Sequence, residues 1–318
     1  MKLLILRFSS IGDIVLTTPL LRCLKTQLKD VVIHYATKKS FSSLLENNVY
    51  LDKIHLLDDS DHKLIAELKQ ENYDLVIDLH HNLRTFRIKK ALGVKAYSYN
   101  KLNLKKALLV TLKINQLPKI HIVDRYMETV ARLGVKNDLK GLDYFLNKED
   151  VYDLHQLPLS FNAGFVAFAI GGQHFTKRLP VHKIIELCQN IKEPIVLLGG
   201  GKDDEQTAEK VVNYFSNQEK IVSLVSKLSL NQSAYLVQKA IKVITHDTGM
   251  MHIAAAFKKE IIVIWGNTVP DFGMYPYLTK YKNVEVADLN CRPCSKIGFD
   301  KCPKGHFMCM ENQEFNTI

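Results

Sequence analysis

The chain has 318 residues, 47% of them hydrophobic, which is more than one core ordinarily holds and enough to fill two. Two domains of roughly 150 residues each are therefore expected. The apolar runs are all shorter than the about 18 to 20 residues that cross a bilayer. The opening LLILRF lacks the length and the cleavage site of a signal peptide, so a cytoplasmic protein is predicted.

The charge is strongly positive, with 43 Lys and Arg against 33 Asp and Glu, and this net +10 favours anionic partners. Residues 79–123, here named the basic segment, contain no acidic residue. Its cations are Arg84, Arg87, Lys89, Lys90, Lys95, Lys101, Lys105, Lys106, Lys113 and Lys119. The segment is either a solvated helical face or a surface that docks on anionic lipid headgroups, helped by Leu104, Leu108 and Leu112.

Apolar runs alternate with amphipathic segments along both halves of the chain, a pattern typical of βαβ units and parallel sheets. In the first half, strands are predicted at Lys2–Phe8, Val31–Tyr35, Lys53–Leu57 and Asp74–Leu79, and helices at Ile14–Leu28, Phe41–Glu46, Lys63–Gln70 and Leu83–Leu92. In the second half, strands are predicted at Gly164–Ile170, Pro194–Leu198, Ile221–Leu224, Lys242–Thr245 and Glu260–Trp265, and helices at Val181–Asn190, Glu205–Phe215, Asn231–Lys239 and Met250–Phe257.

Residues 147–163 are polar and include Pro158, which is typical of a linker between domains. We therefore predict an α/β protein with two Rossmann-like, doubly wound domains, at residues 1–155 and 156–318. Ligands of such sheets bind at the carboxyl ends of the strands, so both domains are expected to face one cleft. Three loops are predicted to point into it.

The first loop carries Asp13 between a strand and a helix. Ser9, Ser10 and Gly12 keep this turn small enough for a substrate to touch its backbone. Asp13 is either a plain helix cap or a catalytic carboxylate. The helix N-terminus and Arg7 would keep it ionised, as a base that removes a proton from a sugar hydroxyl must be.

The second loop begins with Gly171 and Gly172, and Thr176 and Lys177 follow just before the next helix. Lys177 is either a solvated surface lysine or a ligand of a bound diphosphate. A flexible ammonium above a nucleotide site is well placed to neutralise the diphosphate as it leaves. Thr176 would add a hydroxyl donor.

The third loop runs through Asp247, Thr248 and Gly249 into a short helix of small residues. It presents backbone N–H groups and a positive helix end at the tip of a parallel sheet, the usual phosphate site of α/β proteins. Thr248 and His252 are either a cap and a buried ring or, with the Gly249 amide, ligands of phosphate oxygens. A nucleotide is the predicted ligand.

A cysteine-rich tail, residues 291–318, closes the chain, with Cys291, Cys294, Cys302 and Cys309 in the pattern C-x2-C-x7-C-x6-C. The pattern leaves a structural zinc ion and reduced, unliganded thiols as alternatives, and His306 could replace one thiolate. Disulfides are disfavoured in the cytosol. The tail comes after all the nucleotide loops, which argues against a catalytic metal.

Together these segments resemble glycosyltransferase family 9, the heptosyltransferases of lipopolysaccharide inner-core synthesis, over nearly the whole chain. The resemblance is carried by ILRFSSIGDIVLTTPLL, YDLVIDLHHNLRT, KRLP, HDTGMMHIAAAF and IIVIWGNTVPDF. The ending CRPCSKIGFDKCPKGHFMCM is similar to the Cys-rich ending of many members. The first and fourth segments are specific, whereas KRLP alone would be weak.

The resemblance implies a GT-B fold, with the acceptor on the N-terminal domain and the nucleotide sugar on the C-terminal one. It also implies that heptose moves from ADP-heptose onto an anionic lipid-linked saccharide, with inversion and without a cofactor, at the cytoplasmic face of the inner membrane. By position, Asp13 would be the general base and Lys177 the diphosphate ligand. The predicted donor-binding residues are Gly12, Gly171, Gly172, Thr176, Lys177, Asn231, Asp247, Thr248, Gly249 and His252. The predicted acceptor-binding residues are Arg7, Ser9, Ser10, Arg84 and Arg87.

The sequence departs from the resemblance at Asn231, where several members carry an acid suited to binding ribose hydroxyls. An amide can also hydrogen-bond a hydroxyl, so Asn231 is kept among the donor-binding residues. The departure leaves the base and the sugar of the donor open.

Two other functions remain open on the sequence alone. A nucleotide-sugar epimerase or hydrolase would share the architecture and would need no lipid acceptor. A non-enzymatic protein that binds an anionic membrane surface through the basic segment is the second. A nucleic-acid partner is not expected, because the segment lacks the interleaved aromatic residues on which bases would stack. Its main aromatic residues are Phe86, Tyr97 and Tyr99.

Overall fold

The structure is a computed structural model that describes residues 1–58 and 60–316. Residues 317 and 318 of the predicted tail therefore lie outside the described residues. The chain divides into two compact units. The first unit is Met1–Lys101 with Ile120–Asn147, and the second is Leu102–Lys119 with Lys148–Ile318.

Each unit is built on one parallel sheet. The first sheet contains β1 (Lys2–Leu6), β2 (Val32–Lys38), β3 (Lys53–Leu57), β4 (Leu75–Asp78) and β5 (Ala96–Ser98), in the order β3-β2-β1-β4-β5. The second contains β6 (Val166–Ala169), β7 (Ile195–Leu198), β8 (Ile221–Ser223), β9 (Lys242–His246), β10 (Glu260–Trp265) and β11 (Tyr281–Glu285), in the order β11-β10-β9-β6-β7-β8. The strand order of each sheet reverses beside its first strand, which is the doubly wound arrangement that was predicted.

Helices connect the strands. The α-helices are α1 (Ile11–Val15), α2 (Thr18–Gln27), α3 (Asp61–Gln70), α4 (Leu83–Leu92), α5 (Asn103–Leu112), α6 (Ile122–Met127), α7 (Val181–Asn190), α8 (Lys202–Tyr214), α9 (Leu230–Lys239), α10 (Gly249–Ala256) and α11 (Met308–Glu311). Short 3₁₀ turns lie at Lys39–Leu44, Ala131–Leu133, Lys148–Asp150, Leu154–Gln156, Leu159–Ala163, Phe175–Lys177 and Pro270–Phe272. None of the helices in the described ranges combines the length and the apolar character needed to span a bilayer.

The strands form where they do because their apolar runs are buried on both faces of a sheet that helices cover. In β1, for example, every residue after Lys2 is buried. The core of the first unit includes Leu6, Phe8 and Val76. The core of the second unit includes residues of the tail, among them Phe307 and Phe315.

The predicted strands are all present, with ends shifted by at most three residues, and the described residues contain two further strands that were missed. The missed strands, β5 and β11, lie at sheet edges and are short or mostly polar, so they carry little apolar signal. The helix predicted at Ile14–Leu28 is instead two helices, α1 and α2. Pro19 lies in the first turn of α2 and has no N–H to continue a helix from α1.

The domain division also differs from the prediction of a boundary between residues 155 and 156. The described second unit begins at Lys148 and also takes in residues 102–119, which contain α5. Contacts with the tail hold that segment there. Lys113 Nζ donates to the carbonyls of Cys291 and Pro293 at 3.1 and 2.7 Å.

Candidate active site

Asp13 lies in the first turn of α1, just after β1 reaches its carboxyl end. Ser10 precedes this helix, and its N–H and Oγ both donate to Asp13 Oδ2, at 3.2 and 2.9 Å. The side chain of Asp13 keeps 19% of its surface exposed. The carboxylate is therefore oriented by the loop and still accessible to a substrate.

Arg7 is the buried partner of Asp13. Its Nη2 lies 2.5 Å from Asp13 Oδ1, and its Nε donates to the Ser9 carbonyl at 2.8 Å. Its Nη1 donates to the Leu79 carbonyl at 2.5 Å, which ties the loop to the end of β4. Arg7 and the helix N-terminus both stabilise a negative charge on Asp13. The predicted proximity of Arg7, Ser9, Ser10 and Asp13 is thus present, whereas their acceptor-binding and catalytic roles stay predictions.

Asp78 and His80 also belong to this edge of the sheet and were not predicted. Asp78 is fully buried, lies 2.7 Å from Lys89 Nζ and accepts from the backbone N–H of His80 at 3.1 Å. The His80 ring packs edge-on against Phe8, with 5.7 Å between ring centroids. Burial and the charge of Arg7 lower the pKa of His80 to about 4, so the ring is neutral at pH 7. A charged residue that ends a buried strand, followed by two histidines, is the signal that would have found them.

Arg84 and Arg87 lie one turn apart on α4. Arg84 Nε is 2.7 Å from Asp61 Oδ1, and its guanidinium lies 5.7 Å from the centre of the Phe8 ring. Arg87 is exposed. Arg84 therefore lies close to Phe8, which follows β1, whereas Arg87 lies on the surface.

The basic segment is used partly for internal contacts. Lys89 pairs with Asp78, Lys106 lies 5.9 Å from the centre of the Phe272 ring, and Lys113 donates to the tail carbonyls. On α5, Leu104 and Leu112 are 76% and 61% exposed. These leucines give α5 an apolar, uncovered patch on the second unit.

Gly171 follows β6 and lies against the buried side chain of Asp204. A Cβ on Gly171 would lie 2.3 Å from Asp204 Oδ2, so no other residue fits there without a shift. Asp204 in turn accepts from the Gly200 N–H at 2.9 Å. Gly172 approaches the next loop, because a Cβ there would lie 3.4 Å from Thr248 Cγ2. The second and third predicted loops therefore touch, and Asp204 is a supporting residue that the sequence reading missed.

Lys177 and Asp247 meet at the carboxyl ends of the neighbouring strands β6 and β9. Lys177 Nζ donates to Asp247 Oδ2 at 2.7 Å and to the Asp247 carbonyl at 2.9 Å. Thr268 Oγ1 donates to the same carboxylate oxygen at 2.8 Å. The two charged side chains keep only 16% and 13% of their surface exposed. Lys177 is thus a directed ammonium beside the start of α10 and not a solvated surface lysine.

Thr248, Gly249 and His252 occupy the start of α10 as predicted. Thr248 is the N-cap residue and Gly249 begins the helix. His252 lies one turn further along and is 2% exposed. The first-turn N–H groups and the helix dipole favour an anion at this end.

Thr176 contacts the tail. It is 2% exposed, its Oγ1 donates to the Phe299 carbonyl at 3.2 Å, and it accepts from the Phe299 N–H at 2.9 Å. Phe175 stacks on Phe307, with 4.8 Å between ring centroids. The hydroxyl therefore holds the tail against the Lys177 loop, and its proposed contact with the donor stays a prediction.

Arg292 of the tail supports the neighbouring loop after β10. It donates to the carbonyls of Gly266 and Thr268 at 2.6 and 2.9 Å and lies 2.6 Å from Glu285 Oε2. Thr268 in turn holds Asp247. The tail follows the nucleotide loops in sequence but packs directly on them in space, which the argument from chain order did not anticipate.

The tail thiols are free; Cys309 is buried, and Cys291, Cys294 and Cys302 are partly buried. Burial raises the pKa of Cys294 to about 11 and that of Cys309 to about 12. Among the described side chains, the group whose possible ligand atoms lie within 4.8 Å of one another is His34, His55 and Glu71. These thiols do not form such a group. A zinc ion on Cys291, Cys294, Cys302 and Cys309 would require them to move closer, and it stays a prediction.

Asn231 is buried near the start of α9. Its Nδ2 donates to Asp150 Oδ2 at 3.3 Å. Asp150 is itself 8% exposed and ends the 3₁₀ turn Lys148–Asp150. The position at which the sequence lacks an acid therefore lies next to a carboxylate from another part of the second unit.

Comparison with known proteins places these observations in a family. Residues 61–302 match the profile of "Glycosyltransferase family 9 (heptosyltransferase)". A lipopolysaccharide heptosyltransferase 1 of Campylobacter coli is 26% identical over 292 residues, which cover 84% of each chain. A family 9 glycosyl transferase of Veillonella parvula superposes with a TM-score of 0.74 at 21% identity, over 91% of this chain and 88% of the other. An Escherichia coli heptosyltransferase solved with ADP gives a TM-score of 0.69 at 21% identity, over 89% and 93%. These likenesses confirm the predicted GT-B type of fold.

Proposed function

We propose, from the premise that this chain belongs to glycosyltransferase family 9, the heptosyltransferases, that it transfers heptose from ADP-heptose to a lipid-linked saccharide. The acceptor would be the anionic inner core of lipopolysaccharide, as the names of its relatives indicate. The reaction would invert the anomeric centre and would need no metal ion.

The observation that carries this proposal is the position of the Lys177 ammonium, which is mostly buried and fixed by a hydrogen bond to Asp247. Asp247 accepts from it beside the N-terminus of α10, and Thr268 in turn donates to Asp247. A departing nucleoside diphosphate would find there a cation, backbone N–H groups and the positive end of a helix. That combination supplies the charge neutralisation for which other transferases use a divalent metal, and it supports the metal-independent reaction.

The donor is assigned to the second unit. One structural relative was solved with ADP, which supports adenosine diphosphate as the leaving group here. Gly171 and Gly172 would let the diphosphate approach the backbone, because neither carries a Cβ. Asn231 and Asp150 would bind the ribose hydroxyls together, so that Asp150 provides the acid that position 231 lacks.

The acceptor is assigned to the first unit, where Asp13 would act as the general base. Asp13 would take the proton of an acceptor hydroxyl while that oxygen forms a bond to the anomeric carbon. The bond from this carbon to the diphosphate oxygen breaks at the same time, and ADP leaves with the electron pair. One displacement of this kind inverts the configuration.

Attachment to the membrane surface is part of the proposal. Leu104 and Leu112 of α5 are exposed, and Lys105 between them is exposed as well. Apolar side chains flanked by cations bind an anionic lipid surface. On the first unit, Arg84 and Arg87 would contact the anionic groups of the acceptor.

The test is a transfer assay with the full chain, ADP-heptose and a lipid-linked inner-core acceptor. We expect the acceptor to gain the mass of one heptose, ADP to be released, and the product to have the inverted anomeric configuration by NMR. Activity should persist in EDTA, and loss of activity there would show that the metal-independent part is wrong. Free heptose or an isomeric sugar formed without acceptor would point to a hydrolase or an epimerase instead.

Asp150→Asn should weaken ADP binding about 10- to 100-fold, because hydrogen bonds to a charged group contribute about 1.5 to 3 kcal/mol. Calorimetric titration with ADP and with its 2′- and 3′-deoxy analogues would measure this. Wild type should prefer ADP over a deoxy analogue, and the variant should lose that preference. Asp153→Asn, an exposed carboxylate nearby, is the control. Equal discrimination by the variant and wild type would contradict the ribose assignment.

A further inference from the structure

A cluster of buried polar side chains lies at the amino end of the first sheet. His34 is on β2 and His55 is on the neighbouring β3, while Glu71 and Tyr73 lie between α3 and β4. The two histidines and Tyr73 are 5% exposed or less. Asp13, by contrast, follows the carboxyl end of β1. The cluster is therefore separate from the residues assigned to sugar transfer.

The polar atoms of this cluster converge on one point. His34 Nδ1 lies 3.0 Å from His55 Nε2 and 3.0 Å from the Tyr73 hydroxyl, which is 2.9 Å from His55 Nε2. Glu71 Oε2 lies 3.8 Å from His34 Nδ1, and Glu71 Oε1 lies 4.0 Å from His55 Nε2. One ligand atom from each of His34, His55 and Glu71 fits within 4.8 Å.

Glu67 fixes the tautomer of His55. Its Oε1 lies 2.6 Å from His55 Nδ1, and a carboxylate can only accept there, so the ring proton is on Nδ1. The lone pair of His55 is then on Nε2, the atom that faces His34 and Glu71. A carboxylate that holds the far nitrogen of a histidine is the usual outer-shell partner of a metal ligand.

We propose that His34, His55 and Glu71 form a binding site for a divalent metal ion of the zinc type. Two nitrogens and a carboxylate oxygen are ligands that zinc accepts, each at about 2.0 to 2.2 Å. Ligand atoms at such distances from a tetrahedral ion lie about 3.3 to 3.6 Å apart. The two nitrogens lie 3.0 Å apart, and one Glu71 oxygen lies within 4.8 Å of both, so binding would move the nitrogens slightly apart and the carboxylate closer. Tyr73 or solvent would complete the coordination.

Two lysines compete with such an ion for Glu71. Lys2 contacts one carboxylate oxygen, and Lys53 Nζ lies 2.6 Å from the other. The Lys53 side chain is 46% exposed and can move into solvent, and exposed ion pairs of this kind contribute little stability. Metal binding would therefore displace Lys53, and removal of Lys53 should strengthen it.

A metal ion here would connect β2 and β3 to the segment that leads into β4. Its binding free energy would add to the stability of the first unit, because a ligand that binds only the folded chain shifts the unfolding equilibrium. None of the residues assigned here to sugar transfer lies at this end of the sheet. The site is accordingly inferred to be structural.

The experiment uses the full chain with all four tail cysteines changed to serine, so that the tail thiols cannot bind the probe. After removal of metal by a chelator, calorimetry with Zn²⁺ should give one ion per chain, and the melting temperature should rise with Zn²⁺. Glu71→Gln and His34→Gln should abolish this binding, and Glu67→Gln should weaken it about 10- to 100-fold. Lys53→Ala should tighten it. His62→Gln, an exposed histidine on α3, is the matched control and should bind as the parent does.

Absence of Zn²⁺ binding to the folded chain without the tail cysteines would overturn the proposal, as would equal binding by Glu71→Gln and its parent. If the serine variant does not fold, Co²⁺ titration of the unaltered chain replaces it. Tetrahedral Co²⁺ absorption that is lost in Glu71→Gln, beside any thiolate charge-transfer band from the tail, is then the expected result. Co²⁺ spectra that show only thiolate coordination would refute the site.

Discussion

Asp13→Asn is expected to lower turnover by about 100- to 10,000-fold, the usual contribution of a general base. Asparagine keeps the size of the side chain and can still accept from the Ser10 N–H, but it cannot take up the acceptor proton. Donor binding should be nearly unchanged by calorimetry, because the residues assigned to the nucleotide lie on the second unit. Single-turnover measurements with saturating substrates would isolate the chemical step.

A second variant is needed to distinguish a general-base role of Asp13 from a role as a helix cap. Ser10→Ala removes the hydroxyl contact to Asp13 and leaves the carboxylate, so at saturating acceptor it should lower turnover far less than Asp13→Asn does. Circular dichroism should confirm that both variants are folded, since Asp13→Asn leaves buried Arg7 without its anionic partner. Full turnover by folded Asp13→Asn would show that Asp13 is only part of the helix start.

Lys177→Ala is expected to weaken ADP binding about 10- to 100-fold, because it removes a charge-assisted contact to the diphosphate. It also leaves the Asp247 carboxylate without its ammonium partner at a site for an anion. Turnover should fall further than binding, since the charge on the leaving diphosphate increases in the transition state. Calorimetry with ADP and steady-state kinetics would give the two effects separately.

A double-mutant cycle distinguishes the direct contact from this repulsion. Lys177→Ala with Asp247→Asn should recover part of the lost ADP affinity, because the uncompensated carboxylate is gone. Lys202→Ala, an exposed lysine on the same unit, should leave ADP binding unaltered. An unchanged dissociation constant in Lys177→Ala would refute the diphosphate assignment.

The sequence predicted the sheets well because their strands are apolar on both faces. It also predicted chemistry at the carboxyl end of β1 in the first sheet and of β6 and β9 in the second, since parallel topology brings the carboxyl ends within one sheet to the same edge. The pairing of Lys177 with Asp247 joins two loops that are distant in sequence, and no local pattern encodes it. Asp150 beside Asn231 is a similar case.

The unit to which α5 belongs could not be predicted from the local sequence pattern either. Its lysines and leucines predicted a helical face, but which unit it joins depends on contacts such as those of Lys113 with the tail. Edge strands β5 and β11 were missed because sheet edges need few apolar residues. The His34 and His55 cluster was missed for the same reason as the Lys177 pair, since two strands and a turn must first be aligned.

Because the tail packs on the loops after β6 and β10, tail residues that do not touch the donor can still affect donor binding. A chain that stops before Cys291 keeps every residue predicted to touch ADP, yet loses Arg292, Phe299 and Phe307 from behind those loops. Chemical alkylation of Cys294 would likewise disturb the tail behind these loops without removing a residue predicted to touch ADP. Reduced nucleotide affinity after truncation or thiol labelling would thus report a weakened scaffold and not a ligand lost.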